Sequence, residues 1–117
     1  MIIGVQGTRS FSDYSNIFLR AMRTALSERE EGDKQILIAS AGPANINEMA
    51  LEFSNVSERS LKARGITIKT IKVPPSWIKD RLHELSYLAY FCNPKESISA
   101  LVKTAESKDI EVGVYRY

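Results

Sequence analysis

The feature that most limits what this chain can fold into is a change of hydrophobic period that repeats along its length. Apolar runs of strand length alternate with segments whose apolar residues recur every three or four positions. The first run, residues 2–6 (IIGVQ), stops at Gly7. Residues 14–30 then place Tyr14, Phe18, Ala21, Met22 and Ala25 on one helical face. Ser12 or Asp13 can cap that helix, and Gly32, at the end of the acidic EREEGD turn, is expected to stop it. A second strand, residues 35–39 of QILIAS, breaks at SAGPAN. A helix is expected from Ile46, with Met49, Ala50, Phe53 and Leu61 along one stripe, ending at Gly65 behind Lys62 and Arg64. ITIKTIKV alternates with period two and reads as a third strand carrying Ile66, Ile68 and Ile71, closed by Pro74 and Pro75. SWIKDRLHEL is a short helix, residues 87–92 (YLAYFC) a fourth strand, and NPKE the start of a last helix reaching Ser107. IEVGVYRY is the final strand.

Strands separated by helices must pair in parallel through right-handed crossovers, so the fold class is α/β, a doubly wound three-layer sheet of five parallel strands. The pattern alone allows strand order 3-2-1-4-5 or 2-1-3-4-5. In either order, ligands bind where the carboxyl ends of the strands meet the point of order reversal. Three bends reach that edge: Gly7 to Asp13, Ser40 to Asn45, and Asn93 to Ser97.

At 117 residues the chain has the size of one domain, residues 1–117. Sixteen Lys and Arg against 14 Asp and Glu leave a net charge of +2, too little to argue for nucleic acid or an anionic membrane. The one cysteine, Cys92, excludes an internal disulfide and any cysteine-based zinc cluster. No run approaches the ~18 apolar residues of a membrane span, and no leader is recognisable, so a cytoplasmic protein is expected. No phosphate loop, dinucleotide fingerprint, zinc-protease motif or nucleophile elbow is present, and no cofactor or metal is expected.

The first bend, GTRS, carries the sharpest signal. Gly7 allows a tight turn and the close approach of a ligand, Arg9 can fork onto a phosphate, and Thr8 and Ser10 can donate hydroxyl bonds. An ordinary strand-to-helix loop with a surface arginine is the competing reading. In the second bend, Ala41 and Gly42 leave room beside the main chain, while Asn45 and Glu48 fit a capping box as well as they fit binding. Asn47, in the first helical turn, is placed to face the crevice. In the third bend, Asn93 as cap, Pro94 at the first helical position and Glu96 explain themselves as a helix start, and Lys95 is the residue capping leaves over. Trp77 is expected to pack its short helix on the sheet, His83 to lie on the surface, and Cys92 to be a small buried hydrophobe.

At these bends the chain resembles the SLOG superfamily, most closely its small YspA-like members. GTRSFSD matches their G-S/T-R first bend. AGPANINEMA stands where they have G-G-A-R-G-A-D before a helix beginning x-L-A. Gly42 and Ala50 are kept, Met49 replaces the leucine, and Ala41, Ala44, Asn45 and Asn47 replace the first glycine, the arginine, the next glycine and the aspartate. VPPSW is similar to their stretch after the third strand, and in YFCNPKESIS, Ile98 and Ser99 stand where Gly-Thr would. The resemblance implies a Rossmann-like domain of order 3-2-1-4-5, a nucleotide or nucleotide-derived ligand, and homo-oligomers. The P-G-G-x-G-T-x-x-E motif of the related phosphoribohydrolases is missing.

The expectation from residues and resemblance together is a non-catalytic nucleotide-ligand binder, a sensor or sequestering protein. Its contacts would be Gly7, Thr8, Arg9, Ser10, Ala41, Gly42, Asn47 and Lys95. An alternative is a hydrolase of an N-glycosidic or phosphate bond with Glu48 or Glu96 as acid or base. Another is a nucleic-acid or protein-interaction module using Arg20, Arg23, Lys62, Arg64, Lys69 and Lys72. Acidic residues interrupt that basic set, which disfavours nucleic acid as a partner. Self-association is also expected, because two edge strands border a small sheet and Tyr115 and Tyr117 share a face of the last one.

Overall fold

The computed structural model of the chain describes residues 1–97 and 99–117. Five strands, β1 (Ile2–Gly7), β2 (Gln35–Ser40), β3 (Thr67–Lys72), β4 (Tyr87–Cys92) and β5 (Val112–Arg116), form one all-parallel sheet in the order β3-β2-β1-β4-β5. Between them run α1 (Leu19–Ser27), α2 (Ala44–Lys62), α3 (Pro75–Asp80) and α4 (Ala100–Ser107). The arrangement is Rossmann-like, and the strand order reverses between β1 and β4. Their register sets Gly7 beside Phe91, which puts the ends of both strands at one level.

Period-two alternation sorts the side chains of the central strands to two cores. Ile3, Val5, Ile36, Ile38, Ala89 and Phe91 face α1 and α2, where they meet Phe18, Met22, Ile46, Ala50 and Phe53. Leu88, Tyr90 and Cys92 face the other way, against Ile78 of α3, Leu82, Leu85 and Val102 of α4. Each such aliphatic or aromatic side chain contributes about 1.5–3 kcal/mol by leaving water. Gly4 keeps the second core tight: a Cβ there would stand 3.0 Å from Leu88 Cδ1. No helix among the described residues is long and apolar enough to cross a membrane.

Several local expectations are corrected. The first helix opens with a π-helical turn, Tyr14–Phe18, in which Phe18 N–H donates to Asp13 O at 3.0 Å. Asp13 does cap it, its carboxylate accepting from Asn16 N–H at 3.2 Å. α1 ends at Ser27, well before Gly32, because Glu28 and Arg29 N–H turn back to Ala25 and Leu26 carbonyls, and Arg29 then ties the loop through Asp33 O at 2.5 Å. α2 starts at Ala44 instead of Ile46, with Pro43 as its N-cap. The SWIKDRLHEL helix is broken at Arg81 (φ −120°, ψ 23°) and continues as one 3-10 turn, Leu82–Glu84.

The helix start expected at NPKE is also displaced. Asn93 Oδ1 accepts from Lys95 N–H at 2.9 Å, and Glu96 N–H donates to Asn93 O at 3.0 Å, so the asparagine closes a turn of its own. α4 begins at Ala100, and Ser99 caps it by accepting from Val102 N–H at 3.3 Å. The Gly-Thr counterpart, Ile98 with Ser99, falls partly at residue 98, outside the described residues. Tyr115 and Tyr117 share a face as expected, but both are half-buried and packed against the first core, so they do not form an open apolar edge.

Candidate functional site

The first bend is fastened by hydrogen bonds on every side. Gly7 N–H donates to Gly42 O at 3.2 Å, and Thr8 N–H donates to Phe91 O at 2.9 Å, which joins the end of β1 to both of its neighbours. Phe11 N–H returns to Thr8 O at 3.2 Å and closes the turn. The Asn45 side-chain amide then donates to two carbonyls, Thr8 O at 3.0 Å and Phe11 O at 2.7 Å. Below the turn, Phe11 is 1% exposed and stacks on Phe91 with ring centres 4.6 Å apart. Arg9 and Ser10 stay exposed at the apex.

These contacts reassign two of the sequence readings. Gly7 is demanded by packing: a Cβ there would meet Ile46 Cδ1 at 2.8 Å and the Phe91 carbonyl oxygen at 2.9 Å. Its N–H, and that of Thr8, already serve the main chain, so neither is spare for an anion. Asn45 is not the cap of α2. It lies inside the helix and braces the first bend.

The second bend is shaped by Gly42, whose φ of +83° a side chain would strain. Ala41 N–H donates to Val5 O at 2.9 Å, and Ala41 leans on the second core. Asn47 is tied down, its Oδ1 accepting from the buried Ser40 hydroxyl at 2.5 Å. At the start of α2, Ile46 and Asn47 N–H share the Pro43 carbonyl. The N–H groups of Ala44 and Asn45 belong to the first turn, where a helix leaves its donors free of intrahelical partners.

Between the ends of β1 and β4 lies a hollow of about 420 Å³ lined by Gly7, Thr8, Arg9, Pro43, Tyr90 and Glu96. It therefore brings together Gly7, Thr8 and Arg9 of the expected contacts, with Ser10 beside them. Ala41, Gly42 and Asn47 form the neighbouring bend and do not line it. Lys95 is exposed on the third bend and does not line it either. Burial, with a smaller push from Cys92, raises the Tyr90 phenol above its ordinary range, and a hydrogen bond with Ser99 works the other way. At neutral pH Tyr90 is therefore an uncharged hydroxyl. The hollow thus holds one cation, one carboxylate and neutral hydroxyls.

The two glutamates weighed as acid–base groups are separated. Glu96 lines this hollow, whereas Glu48 lines another of about 280 Å³ with Phe11, Ser12, Tyr14, Asn45, Met49 and Glu52. There the Tyr14 hydroxyl is buried with no hydrogen-bond partner among the described residues. Burial, and the Glu52 charge after it, raise the Tyr14 pKa. No group of three or more His, Cys, Asp or Glu among the described residues could hold a metal ion. Cys92 is fully buried, His83 is exposed, and Trp77 packs against the second core with Arg81 4.5 Å above its ring.

Two residues of this edge escaped the sequence reading as site residues. Tyr90 looked like one more apolar residue of a buried strand. Tyr117 hydrogen-bonds through its hydroxyl with both the Thr8 and the Ser10 hydroxyls, the latter at 2.5 Å, and its ring lies 5.1 Å from Phe11. The signal for Tyr117 was its parity: it follows Tyr115 by two residues, on the face where Phe91 lies. Set against known protein families, curated proteins and solved structures, the chain gives no match.

Proposed function

We propose that this protein binds a nucleotide or nucleotide-derived small ligand at the carboxyl edge of its sheet, without catalysis. The observation that carries the reading is the hollow between β1 and β4, at the reversal of strand order, with the exposed Arg9 on its rim. A reversal point is where open parallel sheets receive ligands, and a guanidinium fork matches a phosphate. Asn45 and the paired main-chain bonds hold the bend rigid, so Arg9 projects from a fixed base. Glu96, which also lines the hollow, suits a hydroxyl-bearing group such as a ribose, which can donate to a carboxylate.

In this reading the seat is made of Arg9, the Thr8 and Ser10 hydroxyls, and Tyr90. Ala41, Gly42 and Asn47 shape the neighbouring bend instead of touching the ligand. The hydrolase alternative would rest on Glu96 with the Tyr90 phenol, since Glu48 opens elsewhere and no second carboxylate among the described residues lines this hollow.

Self-association belongs to the proposal through the part of the sheet its helices leave open. Leu37 and Ile71 are half-buried and belong to neither core. A hollow of about 520 Å³ runs there along Ile2, Gln35, Leu37, Thr67 and Lys69. The test of function is a thermal-shift screen with nucleoside mono- and diphosphates, cyclic nucleotides and ADP-ribose. At least one is expected to raise Tm in a concentration-dependent way. No shift from any at millimolar concentration would overturn the reading.

A further inference from the structure

We infer that Tyr117 is a built-in gate on this site: its phenol occupies the hydroxyl pair of the first bend, and an anionic ligand gains that pair by displacing it. The inference rests on the reading of that bend as the ligand seat. Thr8 and Ser10 flank Arg9 in the chain, and both of their hydroxyls are hydrogen-bonded to Tyr117.

The anchoring of the neighbouring residues shows which part can move. The β4–β5 ladder runs to the pair Cys92–Arg116, and Tyr117 follows it directly. Tyr115 is fixed: its hydroxyl bonds with Tyr87 at 2.7 Å, and its ring stacks on Phe91 at 5.3 Å. The backbone beneath the pair is Gly113, where a Cβ would fall 2.0 Å from the Tyr87 hydroxyl. A rotation of the Tyr117 side chain alone therefore frees the bend while β5 stays paired.

The chemistry sets what can open it. The Tyr117 bonds join neutral hydroxyls, and Ser10 is exposed, so water competes for them. A phosphate oxygen accepting from the same hydroxyls, with the Arg9 guanidinium beside it, makes charge-assisted bonds roughly twice as strong. The gate thus favours ligands with an anionic group at this end and resists uncharged ones, which offer Thr8 and Ser10 nothing better than the phenol they already hold.

The test is Tyr117→Phe, which removes the hydroxyl and keeps the ring on Phe11. Adenosine monophosphate and ADP-ribose are titrated by calorimetry into the parent and the variant. The variant is expected to bind its nucleotide about tenfold more tightly, the worth of one or two neutral hydrogen bonds no longer in competition. Equal or weaker binding by the variant overturns the gate and leaves the nucleotide reading standing. Failure of both proteins to bind either probe at millimolar concentration refutes the nucleotide reading and, with it, the gate.

Discussion

Asn45 gives the sharpest separation between a local and a tertiary account of this chain. As the cap of α2 it would accept a helix N–H, and aspartate would serve as well, so Asn45→Asp would cost close to nothing. In the structure the side chain is a donor. Its amide bonds two carbonyls, Thr8 O and Phe11 O, 37 and 34 residues away in sequence. Replacing it with Ala removes both bonds at about 0.5–1.5 kcal/mol each, for a total of about 2 kcal/mol in this half-buried setting. A carboxylate at the same place has no proton to give and sets its charge against two carbonyl oxygens. The positive end of α2 returns about 0.3–1 kcal/mol, and the repulsion takes back a similar amount. Asn45→Asp should therefore also cost about 2 kcal/mol at pH 7. The introduced carboxyl would have a folded pKa raised above its unfolded value, since only its protonated form can donate. Its deficit should then be smallest below about pH 4 and grow as pH rises through the folded pKa. Urea unfolding followed by circular dichroism, at pH 4 and pH 7, reads both effects. An Asn45→Asp protein within about 0.5 kcal/mol of the parent at pH 7 would show that the brace does not exist.

Gly7→Ala should lose about 1–3 kcal/mol by overpacking, because its Cβ would meet the Phe91 carbonyl oxygen at 2.9 Å and backbone cannot step aside cheaply; a melt within 1 °C of the parent would contradict this. Ser99→Ala should cost about 1 kcal/mol as a lost cap, and Asn93→Ala less than about 0.5 kcal/mol, the reverse of what NPKE suggests by pattern; equal losses in urea unfolding would refute the assignment. The Met1 ammonium, 2.6 Å from Asp33, holds that carboxyl below its usual range against the cost of burial, with help from Gln35 N–H and Arg29. A lowered carboxyl adds stability above about pH 4 and loses it as pH falls through the folded pKa. Asp33→Asn should therefore cost roughly 0.5 kcal/mol at pH 7 and progressively less in acid, and a deficit that is the same at pH 7 and pH 2 would contradict the pairing. Sedimentation at high micromolar concentration should show more than monomer; monomer alone removes self-association from the account.

The fold was legible because the alternation of periods is a property of whole segments. QILIAS and YLAYFC are too apolar to be anything but buried strands, and Met22, Ala25, Ala50 and Phe53 repeat on helical stripes that must cover them. Helix starts were not legible at the second and third bends, and the reason is chemical. Asparagine caps helices, closes turns and braces distant carbonyls with the same short amide. Asn45 and Asn93 each offered a local partner in the sequence, and each found a different one in the fold. Gly7 was legible as a glycine that mattered but not for what reason, since Ile46 and Phe91 arrive from elements far along the chain. Tyr117 was the hardest to place: its partners Thr8 and Ser10 are 109 and 107 residues distant, and no local pattern encodes such a contact. What could be read was the reversal of strand order between β1 and β4, once the family resemblance had chosen between the two orders the pattern allows.

Arg9 tests the central claim most directly. It is exposed at the apex of a braced bend, so Arg9→Ala should leave Tm unchanged within the ~0.5 kcal/mol expected of a surface substitution. Calorimetric titration of the parent and this variant with the nucleotide that gives the largest thermal shift then reads the site itself. A guanidinium holding a phosphate should make the variant weaker by about 1.5–3 kcal/mol, or about 10- to 150-fold in Kd. Arg9→Lys should recover part of that loss, keeping the charge without the planar fork. A variant that folds normally and binds the nucleotide as tightly as the parent would contradict the placement of the site at this bend.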